Sequence, residues 1–242
     1  MLSSPARPAV PLDHPVAGRP HRVYAALTNR CNRACPWCSA HGSLTGRTWL
    51  GLDAFRAALP AAGPFEVQLE GGEPTLHPRF WGFVHAARDT GRCARVVVGT
   101  NGTRLPRSPR ALRAWLLRLG APATLKLSIN HHVLDHDPGL LALAAGVRDA
   151  VNDLGGDRLL VLNVRLRRGV DEDDARVRAA VEAAGLLPHA NVFFLQRYGR
   201  AAGEAGWDPP FLAGTDFRMI NPDGRSFGTD LLARSRAMGQ LP

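Results

Sequence analysis

Six short runs of apolar and β-branched residues recur along the chain, and turn-forming residues bound each of them. Such runs are typical of strands buried on both faces of a parallel sheet. The predicted strands are Val23–Leu27, Phe65–Leu69, Ala94–Val98, Thr124–Ile129, Leu159–Val164 and Val192–Leu195. Their spacing leaves room for a helix after each of the first five.

Stretches with helical periodicity fill these gaps, and glycine follows four of them as a stop signal. The predicted helices are Leu52–Leu59, Pro78–Thr90, Pro109–Leu119, Gly139–Leu154 and Asp171–Ala184. The unit of strand plus helix repeats about every thirty residues, as βα units do. With right-handed crossovers, this pattern predicts an α/β fold, a partial (β/α)6 barrel of the TIM type.

The chain beyond the sixth strand predicts a small appendage. Residues Phe217–Asp230 are typical of a strand, an Asn-Pro-Asp-Gly turn and a second strand, and Leu231–Met238 of a closing helix. We therefore expect a disordered or draped proline-rich arm at residues 1–20, the barrel at 21–200, and a short C-terminal β-hairpin and helix at 201–242. The appendage would cap the open edge of the barrel or form a wall of its pocket.

Composition narrows the functional classes. The formal net charge of the 242 residues is +9, mostly from arginine, which could attract an acidic peptide or an acidic electron-transfer partner. No basic stripe with interleaved aromatic residues is present, so the pattern does not favour nucleic-acid binding. No apolar run approaches the ~20 residues of a membrane span. Because the first twenty residues lack an apolar signal-peptide core, we expect a cytoplasmic, reducing location.

Three of the four cysteines, Cys31, Cys35 and Cys38, lie in one CxxxCxxC loop. A disulfide network is not expected, since adjacent thiols in a short loop cannot cross-link a fold of this size. Cubane iron–sulfur clusters usually take four cysteines, so three would leave one iron open to another ligand. A zinc site with His41 as the fourth ligand is the alternative.

Polar residues and glycines follow the predicted strands at one edge. In parallel barrels the carboxyl ends of the strands carry the reactive groups, so the segments that follow them are candidates for one site. They are Glu70-Gly71-Gly72-Glu73-Pro74, Gly99-Thr100-Asn101-Gly102-Thr103, Ser128-Ile129-Asn130, Asn163 with Arg165, and Gln196-Arg197-Tyr198-Gly199-Arg200.

Three motifs occur in a fixed order: CxxxCxxC after strand one, GGEP after strand two and a serine on strand four. In this order of motifs the chain resembles the radical S-adenosylmethionine (radical SAM) superfamily, from about Val23 to Arg200. The resemblance implies one [4Fe-4S] cluster held by Cys31, Cys35 and Cys38, with SAM on the open iron. Reductive cleavage of SAM would then give a 5′-deoxyadenosyl radical that abstracts a substrate hydrogen.

The resemblance also implies a set of SAM contacts: Trp37, Gly71, Gly72, Glu73, Pro74, Asn101, Ser128, Asn130, Asn163, Arg165 and Gln196. In this set Trp37 would pack on adenine, and Glu73 would accept from the SAM ammonium group. Three of these residues have an alternative role that needs no SAM. Trp37 could anchor the loop, Asn101 could form a plain Asn-Gly turn, and Arg165 could be solvated.

The segment from Ser128 to Asp137, with its histidines, resembles relatives that modify peptides or natural products, although those usually have Asp where this chain has Asn130. SPASM or twitch extensions carry cysteines for auxiliary clusters, and no cysteine follows Cys93. The resemblance thus implies a peptide or small natural-product substrate and a flavodoxin- or ferredoxin-type electron donor. Tyr198 is a candidate hydrogen donor. A glycyl-radical-enzyme activating enzyme and a zinc-stabilised basic binding module are the alternative functions.

Overall fold

Seven parallel strands form one open sheet in the computed structural model, which describes residues 20–167, 172–203 and 216–242. The strands are β1 (His21–Ala26), β2 (Phe65–Glu70), β3 (Cys93–Thr100), β4 (Ala123–Ile129), β5 (Arg158–Leu166), β6 (Ala190–Phe194) and β7 (Phe217–Ile220). Their order is β6-β5-β4-β3-β2-β1-β7. The first six strands therefore follow chain order across the sheet, as in a partial barrel.

Helices connect the strands. They are α1 (Leu52–Ala58), α2 (Phe80–Arg88), α3 (Pro109–Leu119), α4 (His131–His136), α5 (Leu140–Leu154), α6 (Glu172–Ala183) and α7 (Leu231–Gly239). Short 3-10 turns lie at Pro74–Leu76, Leu187–His189 and Gly199–Ala201. None of the helices in the described ranges is long and apolar enough to cross a membrane.

The predicted α/β architecture is confirmed, and all six predicted strands and five predicted helices are present with ends shifted by a few residues. Helix α3 keeps its predicted bounds because both ends carry signals. Ser108 Oγ accepts a hydrogen bond from the Ala111 N–H at 3.4 Å, and Gly120 continues at a φ of +78°, which favours glycine.

Three details differ from the prediction. Helix α4, which was not predicted, contains the histidines that follow β4, and the Asn130 side chain caps its first turn. Strand β7 joins the main sheet beside β1 instead of forming a separate hairpin. The expected second hairpin strand is reduced to a bridge between Ile220 and Ser226. Parts of three predicted elements lie outside the described residues. They are residues 1–19 of the proline-rich arm, Asp171 at the predicted start of helix α6, and residues 204–215 of the appendage.

The main hydrophobic core lies between the sheet and the helices. Phe55 of α1 and Phe83 of α2 are fully buried and pack edge to face with ring centroids 5.1 Å apart. Apolar residues on the strands complete this core, while the alternate positions on the opposite face carry polar side chains. The polar face is the wall of the cavity described below.

Replacing Phe83 with alanine should lower the free energy of unfolding by about 3–5 kcal/mol, because it leaves a cavity in a packed core. The matched control is Leu117→Ala on α3, whose side chain is 52% exposed and should change stability by less than about 0.5 kcal/mol. Urea unfolding measures both. Equal effects of the two substitutions would contradict this description of the core.

Candidate active site

A cavity of about 280 Å³ opens at the carboxyl ends of the strands, on the inner face of the sheet. The cysteine loop after β1 and the glycine corner after β2 form one side of it. Strands β4, β5 and β6 form its wall, and α7 closes it from the C-terminal appendage. All three loop cysteines line this cavity.

Hydrogen bonds to backbone and sulfur atoms hold the cysteine loop. The Cys31 N–H donates to the Ser43 carbonyl at 2.8 Å, and the Gly42 N–H donates to Cys38 Sγ at 3.3 Å. On the side of β3, Asn101 Nδ2 donates to Cys31 Sγ at 3.8 Å. Such contacts to sulfur orient ligands and tune a bound metal centre.

The three thiols face one cavity, and Cys35 and Cys38 are near enough to Cys31 to affect its pKa. Among the described residues, no three His, Cys, Asp or Glu side chains lie close enough to hold a metal ion. Burial raises the pKa of Cys31 to about 12 and that of Cys35 to about 11. Ligation of a cluster therefore requires these thiols to lose their protons to the bound metal.

Backbone pairing continues past the ends of β1 and β2 and brings the cysteine loop to the cavity. The Gly72 N–H donates to the Thr28 carbonyl at 2.7 Å, and the Glu73 N–H donates to the Arg30 carbonyl at 2.8 Å. A Cβ on Gly72 would overlap the Arg30 carbonyl oxygen, and Gly71 has a φ of +129°. Only glycine fits this corner, and both glycines line the cavity as expected.

Glu73 is the residue predicted to accept a hydrogen bond from the SAM ammonium group. It is fully buried and, like Pro74, is not among the residues that line the cavity. Its Oε1 accepts from the hydroxyls of Thr75 at 2.5 Å and Thr100 at 2.7 Å, and its Oε2 accepts from the Asn101 N–H at 2.9 Å. Glu73 thus ties the β2 corner to the end of β3, and its contact with the SAM ammonium group stays a prediction.

Asn101 forms an Asn-Gly turn, as in the alternative interpretation of its role, and its side chain also lines the cavity. Its Oδ1 accepts from the Thr103 N–H at 3.1 Å, and its Nδ2 donates to Asn32 Oδ1 at 2.8 Å. The side chain therefore links the turn after β3 to the cysteine loop.

Ser128, Asn130 and Asn163 line the cavity from neighbouring strands. Ser128 is paired with Asn163 across β4 and β5. Asn130 Oδ1 accepts from the Val133 N–H at 2.9 Å as the cap of α4. Its amide nitrogen is left to face a ligand, whereas its oxygen is committed to the helix.

Arg165, Gln196 and Tyr198 reach the same cavity from β5 and the segment after β6. The Arg165 guanidinium lies 5.5 Å from the centre of the Phe193 ring, which agrees better with a site residue than with the solvated alternative. Its charge also opposes the rise in the pKa of Cys35 that burial causes.

Trp37 is anchored in the protein. It is 7% exposed and clusters with Leu195 and Ala201, and its ring centroid lies 5.0 Å from that of His131. Trp37 also lines the cavity, so the loop-anchor interpretation and a ring face for adenine are compatible.

His41 does not act as the fourth ligand of a zinc site in this arrangement. Its Nε2 lies 3.5 Å from Ser235 Oγ of α7, and it is not among the residues that line the cavity. Burial lowers the pKa of His41, and the positive charge of Arg200 lowers it further. The Cys3His alternative therefore loses its fourth donor.

Sequence reasoning missed the role of Arg200. Its NH1 donates to the Cys35 carbonyl at 3.2 Å, and its NH2 donates to the His41 and Gly42 carbonyls at 3.3 and 2.8 Å. These bonds fasten the cysteine loop to the segment after β6.

A second missed group is the Lys126 cluster, defined as Gln68, Glu70, Lys126 and Arg234, all of which line the cavity. Lys126 Nζ donates to Gln68 Oε1 at 3.2 Å, Gln68 Nε2 to Glu70 Oε2 at 2.5 Å, and Arg234 pairs with Glu70 at 2.7 Å. Gln68 and Glu70 lie two residues apart on β2, as Lys126 and Ser128 do on β4. This alternation was the available signal.

The curated sequence relatives that match the chain include two enzymes of the same name. GTP 3′,8-cyclase of Edwardsiella ictaluri is 32% identical over 155 residues, covering 61% of this chain and 46% of that protein. GTP 3′,8-cyclase of Cronobacter sakazakii is 29% identical over 150 residues, covering 59% and 45%. The chain spans about half the length of these relatives, and no family model matches it.

The solved structures that share the fold include two with a bound peptide. Streptococcus suis SuiB bound to precursor peptide SuiA has a TM-score of 0.55 at 15% identity, covering 79% of this chain and 42% of that chain. Native anSMEcpe with bound AdoMet and a Cp18Cys peptide has a TM-score of 0.52 at 14% identity, covering 73% and 51%.

The sequence relatives, the shared fold and the cysteine loop at the expected strand end agree. The chain is similar in sequence and fold to members of the radical SAM superfamily. The cofactors of this superfamily are a [4Fe-4S] cluster and SAM, and the partial barrel that presents the cavity is the fold of its members.

Replacing Glu73 with glutamine should lower the free energy of unfolding by about 1–3 kcal/mol, because an amide would face donors that now share a carboxylate. Urea unfolding without SAM measures this. Glu182→Gln, an exposed change on α6, is the control and should have an effect below about 0.5 kcal/mol. Unchanged stability combined with lost SAM binding would favour the predicted ammonium contact over a structural role for Glu73.

Replacing Arg200 with methionine should loosen the cysteine loop. Each lost hydrogen bond is worth about 0.5–1.5 kcal/mol net, so amide hydrogen exchange in residues 35–42 should accelerate at least about fivefold. Hydrogen exchange followed by mass spectrometry measures it, with the exposed neighbour Arg197→Met as the control. Identical exchange rates in residues 35–42 of both variants would show that the Arg200 hydrogen bonds do not hold the cysteine loop.

Proposed function

We propose that this chain is an enzyme that binds one [4Fe-4S] cluster through Cys31, Cys35 and Cys38 and cleaves SAM reductively beside it. The observation that carries the proposal is the position of the three thiols. They line the cavity at the carboxyl end of the barrel, next to the Gly71–Gly72 corner and the polar ends of β4 and β5.

The residues present fit a three-cysteine cluster. Three sulfur donors share one cavity, and His41 is directed to α7 instead of toward them. Burial keeps Cys31 and Cys35 protonated without metal, so their thiolates need the charge of a bound metal centre. When bound, the reduced cluster supplies the electron that splits SAM into methionine and a 5′-deoxyadenosyl radical.

The other cavity residues are proposed to hold SAM. The Gly71–Gly72 corner admits the methionine end because no side chain intrudes there. Arg165 and the Asn130 amide nitrogen are donors for the carboxylate, and Ser128 and Asn163 are partners for the ribose hydroxyls. Asn101, Gln196 and Trp37 complete the lining, with the Trp37 ring toward adenine. Glu73 and Pro74 are proposed to support SAM binding indirectly, by holding the backbone of the Gly71–Gly72 corner in place.

The substrate is proposed to be a peptide or a small natural product. SuiB and anSMEcpe, which share the fold, were solved with peptides bound, while the sequence relatives are named for a reaction of GTP. The open end of the cavity admits such a molecule beside SAM, and Tyr198 at its rim is the proposed hydrogen donor.

A flavodoxin- or ferredoxin-type protein is the proposed electron donor, since exposed arginines flank the cysteine loop. They are Arg30, Arg47, Arg197 and Arg200. An acidic carrier protein would be attracted to this surface. We place the reaction in the cytoplasm, where such carriers and reduced thiols are found.

Anaerobic reconstitution tests the proposal. Wild-type protein should bind iron and labile sulfide and, with reductant, convert SAM to 5′-deoxyadenosine, whereas Cys35→Ser should lose both. Cys93→Ser is the matched control, because Cys93 begins β3 at the opposite end of the barrel. A fully loaded cluster that makes no 5′-deoxyadenosine would exclude the function, and zinc without sulfide would favour a binding module.

A further inference from the structure

Part of the cavity wall is not used by the proposed SAM site. It consists of Tyr24 on β1, Phe217 and Met219 on β7, and Leu231 and Met238 on α7. We call these five residues the apolar wall. The proposed SAM contacts on β4 and β5 are amides, a hydroxyl and a guanidinium. The cavity thus has a polar side and an apolar side.

Strand pairing builds the first half of the apolar wall. Phe217 and Met219 lie two residues apart on β7 and therefore share one face of the strand. Strand β7 pairs in parallel with β1, which places Met219 opposite Tyr24. The rings of Tyr24 and Phe217 pack edge to face with centroids 5.5 Å apart. These three side chains form one continuous surface on the inner side of the sheet.

Helix α7 builds the second half. Four of its residues line the cavity: Leu231, Arg234, Ser235 and Met238. Spacings of three and four residues place them on one face of the helix. The two polar members of this face are bonded to the protein, because Arg234 pairs with Glu70 at 2.7 Å and Ser235 Oγ donates to the Ser39 carbonyl at 2.9 Å. What this face offers a ligand is therefore apolar.

The same two bonds connect the apolar wall to the proposed SAM site. Glu70 directly precedes the Gly71–Gly72 corner, and Ser39 directly follows Cys38 of the cysteine loop. Helix α7 is therefore fastened to both segments that are proposed to hold the methionine end of SAM and the cluster. A group that rests on the apolar wall shares the cavity with them.

The chemistry of the apolar wall selects its ligand. Removing apolar surface from water stabilises a complex, whereas a polar group placed against this wall would lose its hydrogen bonds to water. Met219 and Met238 are each 2% exposed. Their unbranched thioether chains rotate readily and adapt to the shape of an apolar ligand.

We propose that the apolar wall is a substrate subsite that binds an uncharged, apolar side chain. This inference deepens the proposed function and rests on it. A leucine-like group has the required chemistry whether it belongs to a peptide or to a small natural product.

Methionine methyl NMR reports on the subsite directly, because the chain has three methionines and two of them belong to the apolar wall. The sample is protein with the oxidised cluster and SAM, labelled with ¹³C at the methionine methyls, and Met219→Leu and Met238→Leu assign the signals. N-acetyl-L-leucinamide should shift both signals with one shared dissociation constant. N-acetyl-L-asparaginamide, a polar probe of similar size, should shift them at least about fivefold less at equal concentration. Two unmoved signals, or equal shifts with both probes, would overturn the subsite.

Ligand-observed NMR titration gives the affinities. N-acetyl-L-leucinamide should bind at least about tenfold more tightly than N-acetyl-L-asparaginamide, a difference of about 1.4 kcal/mol. Equal affinities would overturn the apolar class of the ligand. 4-Methylpentanamide carries the same isobutyl group without the acetylated amine and separates the two sources. Weaker binding than the leucinamide supports a peptide, and equal binding supports a small natural product.

A substitution on α7 locates the preference. Met238→Gln keeps the length of the side chain and adds an amide, so the ratio of the two affinities should fall at least about fivefold. Leu232→Gln is the matched control on the same helix and should keep the ratio, because Leu232 is 43% exposed and is not among the residues that line the cavity. An unchanged ratio in Met238→Gln would overturn the proposal. If Met238→Gln does not fold, the methyl shifts of the wild-type protein decide.

Formation of 5′-deoxyadenosine by wild type without any probe reports on the proposed function alone. A loaded protein that makes 5′-deoxyadenosine but fails the methyl test contradicts only the subsite, whereas a loaded protein that makes none contradicts the proposed function. The two failures are therefore distinguishable.

Discussion

The close approach of the cysteine loop to the Gly71–Gly72 corner is the constraint on which the site depends. Backbone pairing of β1 with β2 continues through Thr28 and Arg30 into this corner, and a Cβ at Gly72 would block it. Because the corner is free of side chains, the loop can turn its thiols into the cavity. The same corner leads through Glu73 to the end of β3, so three strand ends are fixed together.

The second organising feature is the distribution of polar groups on the inner face of the sheet. Its outer face packs against helices with phenylalanine, leucine and valine, while the cavity side presents amides, hydroxyls and cations at alternate positions. This separation lets one fold bury a core and keep a charged pocket. Helix α7 contributes Arg234 to the pocket, so the C-terminal appendage belongs to the site as well as to the scaffold.

The sequence was sufficient to predict the strand and helix order because buried parallel strands and helix stops leave strong local patterns. It was also sufficient to place the three cysteines, the glycines and Ser128, Asn130, Asn163 and Arg165 at one cavity. It could not predict that Glu73 turns inward, because that depends on the hydroxyls of Thr75 and Thr100. Arg200 and Arg234 were missed for the same reason, since their partners lie more than 150 residues away along the chain.

Mössbauer spectroscopy of the iron-loaded protein with and without SAM tests the central claim most directly, because it reports the ligands of each iron. We predict a [4Fe-4S] cluster in which a single iron changes its isomer shift and quadrupole splitting when SAM is added, since a cluster held by Cys31, Cys35 and Cys38 would leave one iron for SAM. A cluster whose irons are all unaffected by SAM would contradict the account.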